Sequence, residues 1–214
     1  ETSNVVEDED ALARVAHHLL LRLEPVDDHA RAKINQPVRA LRVLHQVDHE
    51  MRRAAQGERM IDMSDDGTCE VAGMRVACGR REQKRIRVAE LPEGSWVELP
   101  VMVIRGVEPG PTLYLGAAFH GDEVAGVEIV GRFVSRLDVT ALRGTLLVVP
   151  VQNPLAFQVQ HRYFIGHMLK SPMDQNPADP WASFPGDPNG NLAALIAHVL
   201  YDQLLRHADF MIDV

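Results

Sequence analysis

The chain has 214 residues, 46% of them hydrophobic and 24% charged, with a formal net charge of −8. That length accommodates one α/β domain with an extension, in the composition of an ordinary globule. The acidic balance argues against a nucleic-acid partner; no apolar run nears the roughly 20 residues of a bilayer span and no signal-peptide pattern appears, so no membrane partner and a cytoplasmic location are expected.

Residues 1–10 are acidic and polar. From Asp10, the residues Leu12, Val15, Ala16, Leu19 and Leu23 recur at helical spacing until Glu24-Pro25. A second helix is predicted behind Asn35 and Pro37, a cap and a first-turn proline, with Val38, Leu41, Leu44, Val47 and Met51 on one stripe. Residues 1–62 thus read as a helical N-terminal extension. Its apolar faces need cover, either from the main domain or from a partner chain, which makes it a candidate interaction arm for homo-oligomer formation. His45 and His49 stand four apart beside Asp48, a spacing that can bind a metal, but they lie off the apolar stripe, where a solvated face explains them.

The polar stretch Asp62–Gly67 marks the expected boundary to a second unit, residues 63–214. Segments 68–72 and 74–78 read as strands turning near Gly73-Met74, which would let Cys69 and Cys78 face each other. Two cysteines make no disulfide framework, however, and reduced thiols suit a cytosolic chain. The basic run Arg80–Arg87 reads as an exposed strand rather than an anion-binding patch. Ser95–Arg105 alternates early and becomes continuously apolar. After a glycine- and proline-rich turn at 106–111, strands 112–119, 145–151 and 209–214 alternate with helices 123–137 and 191–207. The pattern predicts an α/β fold, its sheet mostly parallel or mixed and flanked by helices.

The apolar run Leu113–Phe119 stops at His120-Gly121-Asp122-Glu123, after which Val124, Val127, Val130, Val134 and Leu137 take up helical spacing. Open α/β sheets bind ligands at the carboxyl ends of their strands. His120 and Glu123, three apart at such an end, can reach one point, and an imidazole with a carboxylate supplies two of the three protein ligands of a catalytic zinc. A plainer reading is also open: the acids offset the positive helix N-terminus while His120 is solvated. The long connection 152–190 starts beside this turn, and its length suggests function. It holds Asn153-Pro154, Arg162, Asp174-Gln175-Asn176 and Trp181-Ala182-Ser183-Phe184-Pro185-Gly186. Arg162 could grip a substrate carboxylate through two parallel hydrogen bonds, or pair with a local acid.

Gly110-Pro111-Thr112-Leu113, Phe119-His120-Gly121-Asp122-Glu123-Val124-Ala125-Gly126, Asn153-Pro154, Phe184-Pro185-Gly186 and Ile212-Asp213, in that order, resemble the succinylglutamate desuccinylase/aspartoacylase family. These are zinc hydrolases with a carboxypeptidase-like α/β fold, and the resemblance spans roughly residues 65 to 214. It implies that His120 and Glu123 are zinc ligands. It also implies a third ligand, a histidine directly after Val214, and a general-base glutamate further on. Residues 63–214 would then be the N-terminal part of the catalytic domain, with its C-terminal part missing and the general base beyond Val214. Within the chain, His161 and His167 are lesser candidates for the third ligand, and Asp213 could support the absent histidine. Asp174 and Asn176 match the start of the family's Asp-Leu-Asn-Arg motif, whose arginine has no counterpart here. Arg162 resembles an upstream arginine of some members, so these three are the implied substrate-binding residues. The lost arginine weakens the case for an N-acyl glutamate or aspartate, and Trp181 points to a more apolar substrate group or to loop packing. The implied activity is a zinc-dependent amidohydrolase (deacylase) acting on an N-acyl amino acid or related small amide through a metal-activated water. A zinc carboxypeptidase acting on peptides is one alternative; a catalytically inactive, metal-free binding or assembly module of the same fold is another.

Overall fold

The computed structural model describes residues 62–63, 67–164 and 179–214. The expected N-terminal extension, with its helices and the His45/His49 pair, lies outside the described residues.

A small antiparallel sheet comes first, β1 (Asp62–Met63), β2 (Cys69–Val71) and β3 (Met74–Val76), in that order. The boundary expected at 62–67 is therefore partly strand, because Asp62 and Met63 pair with Glu70 and Cys69. Cys69 lies opposite Val76 rather than Cys78. Both thiols are free, Cys69 buried and Cys78 exposed.

The main sheet has five strands: β4 (Arg80–Glu90), β5 (Trp96–Arg105), β6 (Glu108–Gly116), β7 (Arg143–Val149) and β8 (Phe210–Asp213). Their order is β4-β5-β7-β6-β8. The pairs β4–β5 and β5–β7 are antiparallel, while β6 runs parallel to both β7 and β8. The sheet is mixed, and its parallel half carries the motif that ends at His120.

Sequence dictates this order of burial. The basic run 80–87 is an exposed edge strand, where charge blocks further pairing. β5 alternates buried and partly exposed positions before turning wholly buried at Val103–Arg105. β7, with apolar residues along its length, is buried from Gly144 to Val149, as a strand covered on both faces must be. The turn expected at 106–111 is partly strand: Glu108 pairs with Arg143, and the register shifts before Thr112 meets Thr145.

Helix α1 (Val124–Arg136) joins β6 to β7 and buries Gly126, Val130 and Val134. Helix α3 (Leu192–Gln203) precedes β8 and buries Ala193, Ala194, Ile196, Ala197 and Leu200. Asn191 caps it, accepting from Ala194 N at 3.1 Å. Ile196 and Leu200 join Tyr114, Leu147, Val149, Leu99 and Val101 in the main core, with Val71 and Val76 from the small sheet. The connection 152–190, which shows no periodicity in the sequence, contains α2 (Pro154–Gln158) and a 3-10 turn, Pro180–Ser183. Among the described residues no helix is long and apolar enough to cross a membrane.

Candidate functional site

The parallel ladder does not stop with β6. Ala117 N donates to Val149 O, Gln152 N to Ala117 O and Asn153 N to Ala118 O, at 3.0–3.1 Å. These bonds hold the chain as it leaves the sheet and pin Ala118 at φ 48°, a left-handed conformation that costs a non-glycine residue roughly 1 kcal/mol. The next two residues are Phe119 and His120. Strain of this kind persists where neighbouring structure over-determines it, and such places cluster at functional sites.

Gly121 makes the turn. A Cβ there would lie 2.0 Å from the Ala156 carbonyl carbon and oxygen and 2.5 Å from His161 O, so only glycine lets α2 back onto it. Asn153 caps α2 through Ala156 N at 3.3 Å, with Pro154 in the first turn. Its own Nδ2 is buried with no partner among the described residues.

His120 is 5% exposed. Its Nδ1 lies 2.8 Å from Glu123 Oε1, and its Nε2 lies 3.4 Å from Asp179 Oδ1. The His120 backbone N–H also donates to Glu123 Oε2 at 3.3 Å. Burial pushes the imidazole pKa down, but the bonds to Asp179 and Glu123 and their charges outweigh it, so the ring holds its proton more tightly than a free histidine. Burial likewise works against the Asp179 carboxylate. The bonds from His120 and Trp181 N nonetheless keep it below the usual range.

Glu123 also faces Arg162, whose Nη1 is 3.7 Å from Oε1. Both side chains are nearly half exposed, so this pair contributes about 1 kcal/mol at most. Of the two sequence readings, the structure shows the pairing with a local acid, and that acid is Glu123 of the site. An aromatic wall stands alongside. Trp181 packs on Phe119 with centroids 4.6 Å apart, Phe184 stacks on Phe119 at 5.8 Å, and Tyr163 meets the His120 ring edge-on at 5.9 Å.

Asp213 is exposed at the end of β8, yet its carboxyl group is drawn in. Gln152 Nε2 donates to Asp213 Oδ1 at 2.6 Å, and Tyr114 Oη donates to Gln152 Oε1 at 2.6 Å. Desolvation, reinforced by the Glu123 charge, pushes the Asp213 pKa up to about 6 against the Gln152 bond.

The structure thus brings together His120, Glu123 and Arg162. Asp174, Asn176 and His167 lie outside the described residues. His161, the other candidate third ligand, is exposed and uses Nδ1 on the Tyr163 backbone. Asp179 was not anticipated from the sequence. Its signal was an Asp-Pro cap just before Phe184-Pro185-Gly186: the carboxylate accepts from Trp181 N at 3.0 Å while it also meets His120.

The donor set suits a zinc ion. Two tetrahedral ligands at about 2.1 Å from a metal stand about 3.4 Å apart, so Nδ1 and Oε1 need separate by only a little to admit one. Nδ1 is the ring nitrogen turned toward Glu123, and a carboxylate such as Asp179 on the other nitrogen is the usual support of a metal-bound histidine. Among the described residues no group of three His, Cys, Asp or Glu side chains converges on one point.

A family model for the succinylglutamate desuccinylase/aspartoacylase catalytic domain matches residues 109–214. Residues 109–214 are thus similar to that family's catalytic domain. An N-alpha-acetyl-L-2,4-diaminobutyric acid deacetylase of Halomonas elongata is 33% identical over 124 residues, 57% of this chain and 33% of that protein. A succinylglutamate desuccinylase/aspartoacylase structure from Rhodobacter sphaeroides aligns at 29% identity and TM-score 0.52, covering 65% of this chain and 43% of that one. The product-bound ectoine utilization protein EutE (DoeB) of Ruegeria pomeroyi aligns at 26% identity and TM-score 0.51, covering 72% and 41%. The chain spans about a third of the curated relative's length and about two-fifths of these structures.

Proposed function

We propose that His120 and Glu123 are metal ligands of a zinc-dependent amidohydrolase that removes the acyl group from an N-acyl amino acid or a related small amide. One observation carries the reading. His120 Nδ1 and Glu123 Oε1 converge to 2.8 Å at the carboxyl edge of a parallel strand, with the other ring nitrogen held by a carboxylate. The family match and the deacetylase relative support the reaction class.

Zinc, when bound, supplies Lewis acidity toward the amide carbonyl and a water whose pKa falls to about 7. The chain's own residues do the rest. Asp179 accepts a hydrogen bond from Nε2–H and so favours the His120 tautomer whose Nδ1 lone pair would face a metal. Glu123 brings negative charge to the same point. Arg162, half exposed and held beside Glu123, offers N–H donors to a substrate oxygen. Trp181 and Phe184, partly buried and packed on the core residue Phe119, give the site an apolar side, which disfavours water and suits an acyl chain.

The test uses the full-length protein with a panel of N-acetyl and N-succinyl amino acids and, separately, short peptides. Release of free amino acid from the acyl substrates, abolished by a chelator and restored by zinc, is the expected result. Exclusive release of carboxyl-terminal residues from peptides would replace this reading by a carboxypeptidase. A full-length protein that binds no metal and leaves every substrate intact would favour the non-catalytic module.

A further inference from the structure

Gln152 is 1% exposed and Tyr114 is fully buried, and nothing in the chemistry above uses either. Their bonds leave the amide no freedom. An ionised Asp213 only accepts, so it takes the Gln152 NH2, and the carbonyl end is left to receive the Tyr114 hydroxyl. Room for this strap comes from Gly116, where a Cβ would lie 2.6–2.7 Å from the Gln152 amide atoms. Gln152 follows β7, crosses β6 at Gly116 and reaches the end of β8. One side chain thereby ties the carboxyl ends of three strands. Gly116 pairs with Asp213 and accepts from Val214 N at 3.1 Å, and from Gly116 the chain runs directly on to His120.

We propose that Gln152 is a positioning residue: its amide, locked between Tyr114 and Asp213, holds the Asp213 carboxylate beside the His120–Glu123 pair and so strengthens the site's hold on a divalent cation. The inference rests on the zinc reading of the same site. Asp213 adds negative charge at the sheet edge without serving as a ligand itself. Gln152 acts through it.

The test is calorimetric titration of chelator-stripped full-length protein with zinc, together with metal-free thermal melts, for the wild type and for D213N, Q152L and the double variant. The carboxamide introduced by D213N can still accept from Gln152, so this variant keeps the strap and loses only the charge. It should melt no lower than the wild type yet bind zinc at least tenfold more weakly, in the range found when groups supporting a metal site are removed. Q152L should show a comparable loss, and the double variant no more than D213N alone, because the two residues act as one unit. Wild-type affinity in D213N would overturn the proposal and leave the strap a brace of the sheet. Additive losses in the double variant would overturn the claim that Gln152 acts through Asp213. If Q152L fails to fold, D213N alone decides. A wild-type protein that takes up no zinc overturns the zinc reading itself, and the proposal with it.

Discussion

Asp179→Asn separates two jobs that one carboxylate performs. The side chain caps the 3-10 turn through Trp181 N and meets His120 Nε2 at 3.4 Å. Asparagine caps about as well as aspartate, so the turn and its aromatic packing should survive. The charge behind the imidazole does not. Removing such a support from a metal-ligating histidine weakens metal binding about 10- to 100-fold, or ~1.4 to ~2.7 kcal/mol. In the metal-free protein the His120 pKa should also fall, because the Asp179 bond and charge are what lift it against burial. The assays are zinc titration of the full-length protein and an NMR titration of the His120 ring, with a thermal melt as control. Asp179→Ala should bind zinc as weakly as the asparagine variant and also lose about 1 kcal/mol of stability with the cap. An asparagine variant with wild-type zinc affinity and an unmoved His120 titration would refute the reasoning.

Gly121→Ala should prevent normal folding or displace α2, since its Cβ would fall 2.0 Å from the Ala156 backbone; limited proteolysis and circular dichroism would show it, and a variant with wild-type stability would contradict the packing described. Trp181→Ala should cost about 2 kcal/mol, less than a fully buried tryptophan because the ring is partly exposed, measured by urea denaturation at constant pH. The Asp213 pKa, raised from 3.8 to about 6, makes the folded state bind more protons than the unfolded one between those values. This group's contribution to stability is therefore present below pH 4 and is lost as pH rises through 6. D213N should flatten that part of the stability–pH curve relative to the wild type, and a parallel pair of curves would show that the group does not titrate as described.

The strand-turn-helix that carries His120 was legible because three local signals coincide: an apolar run, an abrupt His-Gly-Asp-Glu stop, and valines at helical spacing. The parallel half of the sheet was legible in the same way, from buried strands alternating with amphipathic helices. Asp179 was not. It stands 59 residues from His120 in the chain, and only the tertiary fold joins them; the family motif drew attention instead to Asp174 and Asn176. Helix α2 is five residues long, too short to show periodicity, although Asn153-Pro154 is a proper start signal. The strap through Gln152 was hidden for a different reason. A glutamine at the end of an apolar strand reads as a solvated loop residue, and its burial depends on a missing Cβ on the neighbouring strand, at Gly116. Pairings across strands leave no pattern along one.

The most direct measurement is the metal content of the purified full-length protein, wild type against His120→Ala, by elemental analysis after dialysis without chelator. One zinc per chain in the wild type and a near-complete loss in the variant is the expected result. No stoichiometric divalent metal in the wild type, or equal zinc in both proteins, would contradict the claim that His120 and Glu123 hold a metal.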